Sequence, residues 1–254
     1  MKPPTLPSLN QSNIFGAVLH AGQGVAILML SRDFRLPITT TYLTYNFATR
    51  HLEPVTRTLF HLQLSWLVAA FFFLSALAHL LIATKYRPTY ETNLKNGLNK
   101  ARWLEYSLSA SLMMVAIAML VGIYDLGSLL MVFALIAGMN LMGLVMEITN
   151  RDRENPNWLS FKIGCLLGIV PWVVIAIYFW AANHYGSGDI PAFVYWIYGS
   201  IFLFFNCFAI NMWLQYRKIG PWKNYLYGER VYILLSLIAK SLLAWQVFAG
   251  TLRP

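Results

Sequence analysis

Tyr232-Ile233-Leu234-Leu235-Ser236-Leu237-Ile238-Ala239-Lys240-Ser241-Leu242-Leu243-Ala244-Trp245-Gln246 reads as an apolar helix with a single lysine at its centre. The apolar segment runs from about residue 229 to 249, long enough for a bilayer core of about 30 Å, which takes roughly 20 residues of helix. Lys240 stands about 11 residues past the start of that segment, or about 16 Å at 1.5 Å per residue, near mid-membrane and too deep for easy snorkelling. A charge at that depth costs on the order of 3 kcal/mol even on a lenient insertion scale, so the lysine needs a partner or a use.

Working outward, six further apolar stretches occur at roughly 12–31, 59–83, 98–123, 127–148, 160–182 and 192–215. The 254 residues are 58% hydrophobic and 11% charged, where a soluble domain would be about a quarter charged. The reading is an all-α protein, a single seven-helix transmembrane domain spanning 1–254. Cys165 and Cys207 fall inside apolar helices, so no disulfide is expected. The formal charge of +9 does not indicate nucleic acid, because the basic residues are scattered through the membrane-flanking loops and form no single patch.

Seven spans place the two termini on opposite faces, and Lys and Arg sort unequally between them. The N-terminal face takes Lys2, Lys85, Arg87, Lys95, Lys100, Arg102, Arg151, Arg153, Lys162, Arg217, Lys218, Lys223 and Arg230, whereas the other face takes Arg32, Arg35, Arg50, Arg57 and Arg253. By the positive-inside rule the N-terminus is cytoplasmic and the C-terminus extracellular, in a multi-pass protein of the cell membrane. The loop from about Arg32 to Arg57 contains Ile38-Thr39-Thr40-Thr41-Tyr42-Leu43-Thr44-Tyr45, which favours a small β-hairpin in the first extracellular loop. Trp158, Trp180, Trp196, Trp213 and Trp222 fall near segment ends, as interfacial aromatics do.

Two ionisable groups read as deep: Lys240, and Glu105 in Arg102-Trp103-Leu104-Glu105-Tyr106-Ser107 of the third span. An amine in its neutral form condenses with an aldehyde to give an imine, and protonating that imine calls for a carboxylate within a few ångströms. Ser236 lies one helical turn from Lys240 on the same face, placed to hydrogen-bond the nitrogen. Residue chemistry alone leaves other readings open: a structural ion pair between helices, or the ion site of a transporter. His20 with Gln23 and Ser75 with His79 lie three and four residues apart, each pair on one helical face. Asp125 and Glu147 fall at helix ends, where solvation is their expected role. No metal-ligating set is read.

The Lys240 helix, with Gly228-Glu229-Arg230 before it, resembles the retinal-binding helix of heliorhodopsins. Similar too are Arg102 to Ser109, Gly168-Ile169-Val170-Pro171-Trp172, Phe202-Leu203-Phe204-Phe205-Asn206, Val18-Leu19-His20 and Ser75-Ala76-Leu77-Ala78-His79. The resemblance implies a rhodopsin-like bundle with all-trans retinal on Lys240 as a protonated Schiff base and Glu105 as its counterion. It also implies an inverted orientation and a homodimer built partly by the first outer loop. Tyr106, Met113, Met139, Gly143, Phe205 and Ser236 would line the chromophore, and His20 and His79 would share a polar, proton-accepting cavity with Gln23 and Ser75. Pumping relatives carry an Asp one turn before the lysine and a carboxylic donor eleven residues after the counterion, where this chain has Ser236 and Ala116. The leading expectation is therefore a non-enzymatic light sensor that signals to a cytoplasmic partner. A light-driven proton or ion transporter or channel, and a retinal-free transporter or scaffold, remain the alternatives.

Overall fold

A computed structural model describes residues 3–151, 153–188 and 190–254. Lys2, counted above with the N-terminal face, and Asp189, in the loop after the fifth span, lie outside the described residues.

The helices are α1 (Leu6–Leu30), α2 (Leu64–Ala83), α3 (Arg87–Lys95), α4 (Lys100–Leu120), α5 (Leu126–Asn150), α6 (Leu159–Tyr185), α7 (Ala192–Tyr216) and α8 (Tyr225–Val247). The strands are β1 (Arg35–Asn46) and β2 (His51–Gln63). All helices but α3 are long and apolar enough to cross a bilayer, the last span continuing to Leu252. The chain is thus a mostly helical, multi-pass membrane protein carrying one antiparallel hairpin.

Three boundaries differ from the sequence reading, each for a local reason. α1 begins at Leu6 rather than near 12, because Thr5 and Ser8 form a capping box that satisfies the first free amides. The second span starts at Leu64 rather than 59, because Leu59 is a bulge within β2 and Phe60 to Gln63 pair with β1, down to Arg35 opposite Gln63. The hairpin is correspondingly larger than the threonine-rich run suggested. The stretch read as the loop Thr84 to Lys100 contains α3, held down by Tyr90 and Leu94, which pack with Leu9 and Ile82 under Tyr225, Leu226 and Ile233.

In the bundle α1 packs on α2 and α8, α4 sits between α2 and α5, α5 packs on α6, and α7 on α8, whereas the backbones of α6 and α7 stand further apart and meet through aromatic side chains. The apolar core is densest around the C-terminal half of α4, Met113 to Met119, against Phe71, Phe72, Ile136, Trp172 and Leu243. Leu43, Phe47, Leu52 and Phe60 on the hairpin stand exposed.

A second set of buried charges corrects the sequence reading. Glu147 is not solvated at its helix end; it is 1% exposed and paired with Arg102, which also pairs with Glu229. Arg102, counted with the N-terminal face from sequence, is 5% exposed inside the bundle. The three sit close to the ends of α4, α5 and α8 on the N-terminal face, where the ends of three helices can enclose them.

Candidate functional site

α8 and α4 bring the two deep charges together. Lys240 Nζ donates to Glu105 Oε1 at 3.0 Å and to Ser236 Oγ at 2.7 Å. The Ser236 contact follows from helical spacing, since residues four apart share a face. Ser75 of α2 donates through Oγ to the same Glu105 oxygen at 2.6 Å and back to the Phe71 carbonyl at 2.9 Å. One carboxylate oxygen thus receives an ammonium and a hydroxyl, and the Lys240 and Glu105 side chains are 3% and 8% exposed. Tyr106, next to Glu105, presents its ring 5.1 Å from Nζ. A buried ion pair is maintained only when its geometry and hydrogen bonds offset the loss of water, which these contacts do.

The histidines lie behind Ser75. His20 and His79 stack with centroids 5.6 Å apart, and His79 Nδ1 is 2.8 Å from Asn13 Oδ1. Gly16 admits the His79 ring, as a Cβ there would lie 3.2 Å from it. His20 is fully buried and neither ring nitrogen has a partner within the protein. A buried polar group without a partner marks a place for water or a mobile proton. Gln23 is engaged elsewhere, its Oε1 accepting from Trp245 Nε1 at 3.0 Å, while its amide nitrogen has no partner. Ser75 and His79 are therefore brought to the Glu105 site, His20 to His79, and Gln23 to α8 instead.

On the other side of Lys240 opens a cavity of about 560 Å³, lined by α4 to α8. Tyr106, Met113, Met139, Gly143, Phe205 and Ser236 all border it. Residues the sequence did not single out also shape it. Trp172 is 1% exposed and meets Tyr198, Phe202 and Phe205 edge to face. Trp103 lies against Gly143 so closely that a Cβ there would collide with the indole. Gly168 likewise leaves room for Met139 and Phe205. Leu166 and Ile169 border the cavity and are also exposed on the lipid side, where the backbones of α6 and α7 stand further apart. The volume falls within the range of small-molecule sites, about 300–1,000 Å³, and the lining is apolar with one amine.

Residues 9–252 match the heliorhodopsin family. The chain belongs to that family. Heliorhodopsins are retinal photoreceptor-type proteins, and the cavity fits such a group: a long apolar, aromatic-walled space with a buried primary amine at its border. Among solved structures the chain resembles a light-driven proton pump, LR (Mac), from Leptosphaeria maculans, with a TM-score of 0.63 and 16% identity over 94% of each chain. At that identity the likeness shows the rhodopsin fold and no more. No curated protein matches.

Trp172 and Trp103 were within reach of the sequence, since both stand in segments that resemble the family. What was missing was a signal separating a cavity wall from an interfacial anchor, because an indole serves both.

Proposed function

We propose that this heliorhodopsin is a light-sensing, signalling photoreceptor that holds all-trans retinal on Lys240 as a protonated Schiff base with Glu105 as counterion. The observation that carries the reading is the Lys240–Glu105 contact at 3.0 Å, set beside a 560 Å³ apolar cavity. When bound, retinal supplies light absorption and a change of shape on isomerisation.

The protein's own residues do the rest. Glu105 holds the positive charge on the lysine nitrogen, Ser75 fixes the carboxylate, and Ser236 orients the nitrogen from one turn below. His20 and His79 place ring nitrogens near the site as acceptors for a displaced proton, those of His20 having no partner within the protein. Gly143, Trp103, Phe205 and Trp172 exclude water from the cavity walls. By the basic bias of the loops the N-terminal face is cytoplasmic. The exposed Leu43, Phe47, Leu52 and Phe60 favour a second copy of the chain on the hairpin.

Signalling is preferred to pumping because the buried ionisable groups among the described residues lie in the middle of the bundle and on its N-terminal side. Beyond Lys240 toward the C-terminal face the bundle is closed by Val115 to Met119, all buried and apolar, and Ala116 is fully enclosed. Among the described residues that half of the bundle holds no buried carboxyl group for a relay.

The test is a pair of spectra. Purified protein given all-trans retinal should develop a visible band, and Lys240→Ala should not. A colourless wild type, or a variant with an intact band, refutes the assignment.

A further inference from the structure

The rings bordering the cavity on its N-terminal-face side also touch the second charged cluster. The Arg102 guanidinium lies 4.5 Å from the Trp103 ring centroid and 3.9 Å from that of Tyr232. Trp103 borders the cavity, and so does Tyr106, whose hydroxyl donates to the Tyr232 carbonyl at 3.0 Å. One layer of aromatic residues therefore separates the Lys240 amine from Arg102.

On its far side Arg102 is the only cation joining Glu147 of α5 to Glu229 of α8 among the described residues, and both carboxylates are 1% exposed. Asn99 completes the knot. Its backbone N–H donates to Glu147 Oε2 at 2.7 Å, its side-chain amide to Glu229 Oε2 at 2.7 Å, and its carbonyl oxygen caps α4 by accepting from the Arg102 N–H at 3.0 Å. Tyr225 adds its hydroxyl to Glu147 at 3.2 Å. Removing the guanidinium would leave two buried carboxylates facing each other, so the arrangement has a closed state and a disrupted one with little between.

Asn99 also ends the short turn Asn96–Asn99 after α3. That turn contains Gly97 at φ +68°, a left-handed conformation that glycine adopts without strain. The remaining attachment of α3 is apolar, through Tyr90 and Leu94, and it rests partly on Tyr225 and Leu226 at the start of α8. Both attachments therefore depend on where the N-terminal end of α8 sits, and Glu229 holds that end.

We propose that Arg102 couples the cavity to the N-terminal face, and that α3 with its following turn, residues 87–99, is the element released when the cavity changes shape. The inference rests on the retinal reading above. Displacing Trp103 or Tyr232 draws the stacked guanidinium off its two carboxylates, Asn99 loses both acceptors, and α3 loosens. The outer surface of α3, with the exposed Lys95 and the half-buried Arg87–Glu91 pair on it, is then the face a partner reads.

Hydrogen–deuterium exchange of residues 87–99 tests this in two arms. In retinal-free protein, Glu229→Gln and Arg102→Lys should each raise exchange there in darkness, roughly tenfold, with α6 unaltered. Exchange at the wild-type rate in both variants overturns the coupling without reference to light. In pigmented wild type, illumination should raise exchange over the same residues, and in the variants the light increment should vanish because the segment is already loose. A coloured wild type with no light effect in 87–99, or an increment unchanged in both variants, overturns the coupling alone. A colourless wild type overturns the retinal reading and this inference with it.

Discussion

Lys240→Met, made alone and with Glu105→Gln in retinal-free protein, measures how far the two side chains hold each other. At 3.0 Å the pair attracts by about 5 kcal/mol at an effective dielectric near 20, and burial of both charges cancels part of that gain. Removing the lysine leaves Glu105 with the Ser75 hydroxyl at 2.6 Å; removing the carboxylate leaves the ammonium with Ser236 at 2.7 Å. One hydroxyl does not replace an opposite charge, so each single change should cost about 3–5 kcal/mol. For a chain of this size a kilocalorie shifts the midpoint by about 2–4 °C, so Lys240→Met should lower Tm by about 6–20 °C. The double variant carries neither charge and should recover most of the loss, a coupling of about 2–4 kcal/mol. Thermal unfolding in detergent, followed by tryptophan fluorescence, gives all four corners of the cycle. Losses that add to within about 0.5 kcal/mol would show that the contact carries no stability, and the account of the site would be wrong.

With retinal bound, Glu105→Gln should redden the visible band, because the charge on the lysine nitrogen loses the carboxylate that localises it; an unchanged spectrum would mean that another group balances it. Gly143→Ala drives a methyl into the Trp103 ring, which must retreat, at an overpacking cost of about 1–3 kcal/mol. Gly22→Ala, with nothing within 4 Å, is the control, and equal Tm values for the two variants would refute the fit. Asp125 caps α5 by accepting from the Ser128 N–H at 2.9 Å, which holds its carboxyl below the usual range. A depressed carboxyl stabilises above its unfolded pKa and loses that contribution as pH falls through the folded value. Asp125→Ala should therefore cost about 1 kcal/mol at neutral pH, and the gap should narrow below about pH 4. Asp125→Asn, which keeps an acceptor but not the charge, should stand near the native protein at neutral pH and lose no stability through the same titration.

The spans were legible because each is a long apolar run, and the hairpin because β-favouring threonine and tyrosine dominate Ile38 to Tyr45. Their ends were harder. Leu59 to Gln63 are apolar enough to pass for helix, and only the pairing of β2 with β1 decides otherwise. α3 is polar on most of its surface and is held by Tyr90 and Leu94 alone, too few positions to give a period. At the site, Lys240 and Glu105 stood out because a charge in an apolar run has few innocent uses. Arg102, Glu147 and Glu229 escaped notice for the opposite reason: each lies near a helix end, where a charge is ordinary, and only the packing of three ends closes water out. The route of Gln23 to Trp245 was likewise invisible, since helical spacing gives a face and not the neighbour that face meets.

The proposed role as a sensor draws its support from the distribution of buried ionisable groups. Lys240, Glu105, His20 and His79 occupy the middle of the bundle, and Arg102, Glu147, Glu229 and Asn99 the N-terminal side. Toward the C-terminal face, α4 offers methionine, valine, alanine and isoleucine, and α8 offers Leu243, Ala244 and Val247, all buried. An ion or proton crossing the membrane needs stations on both sides, because each unsolvated charge in the apolar half costs several kilocalories per mole. A conformational signal needs only a rigid floor and a movable ceiling. The packed C-terminal half supplies the floor. The Arg102 knot, one ring away from the reactive amine and tied to the turn before α4, supplies a ceiling whose closure depends on a single guanidinium.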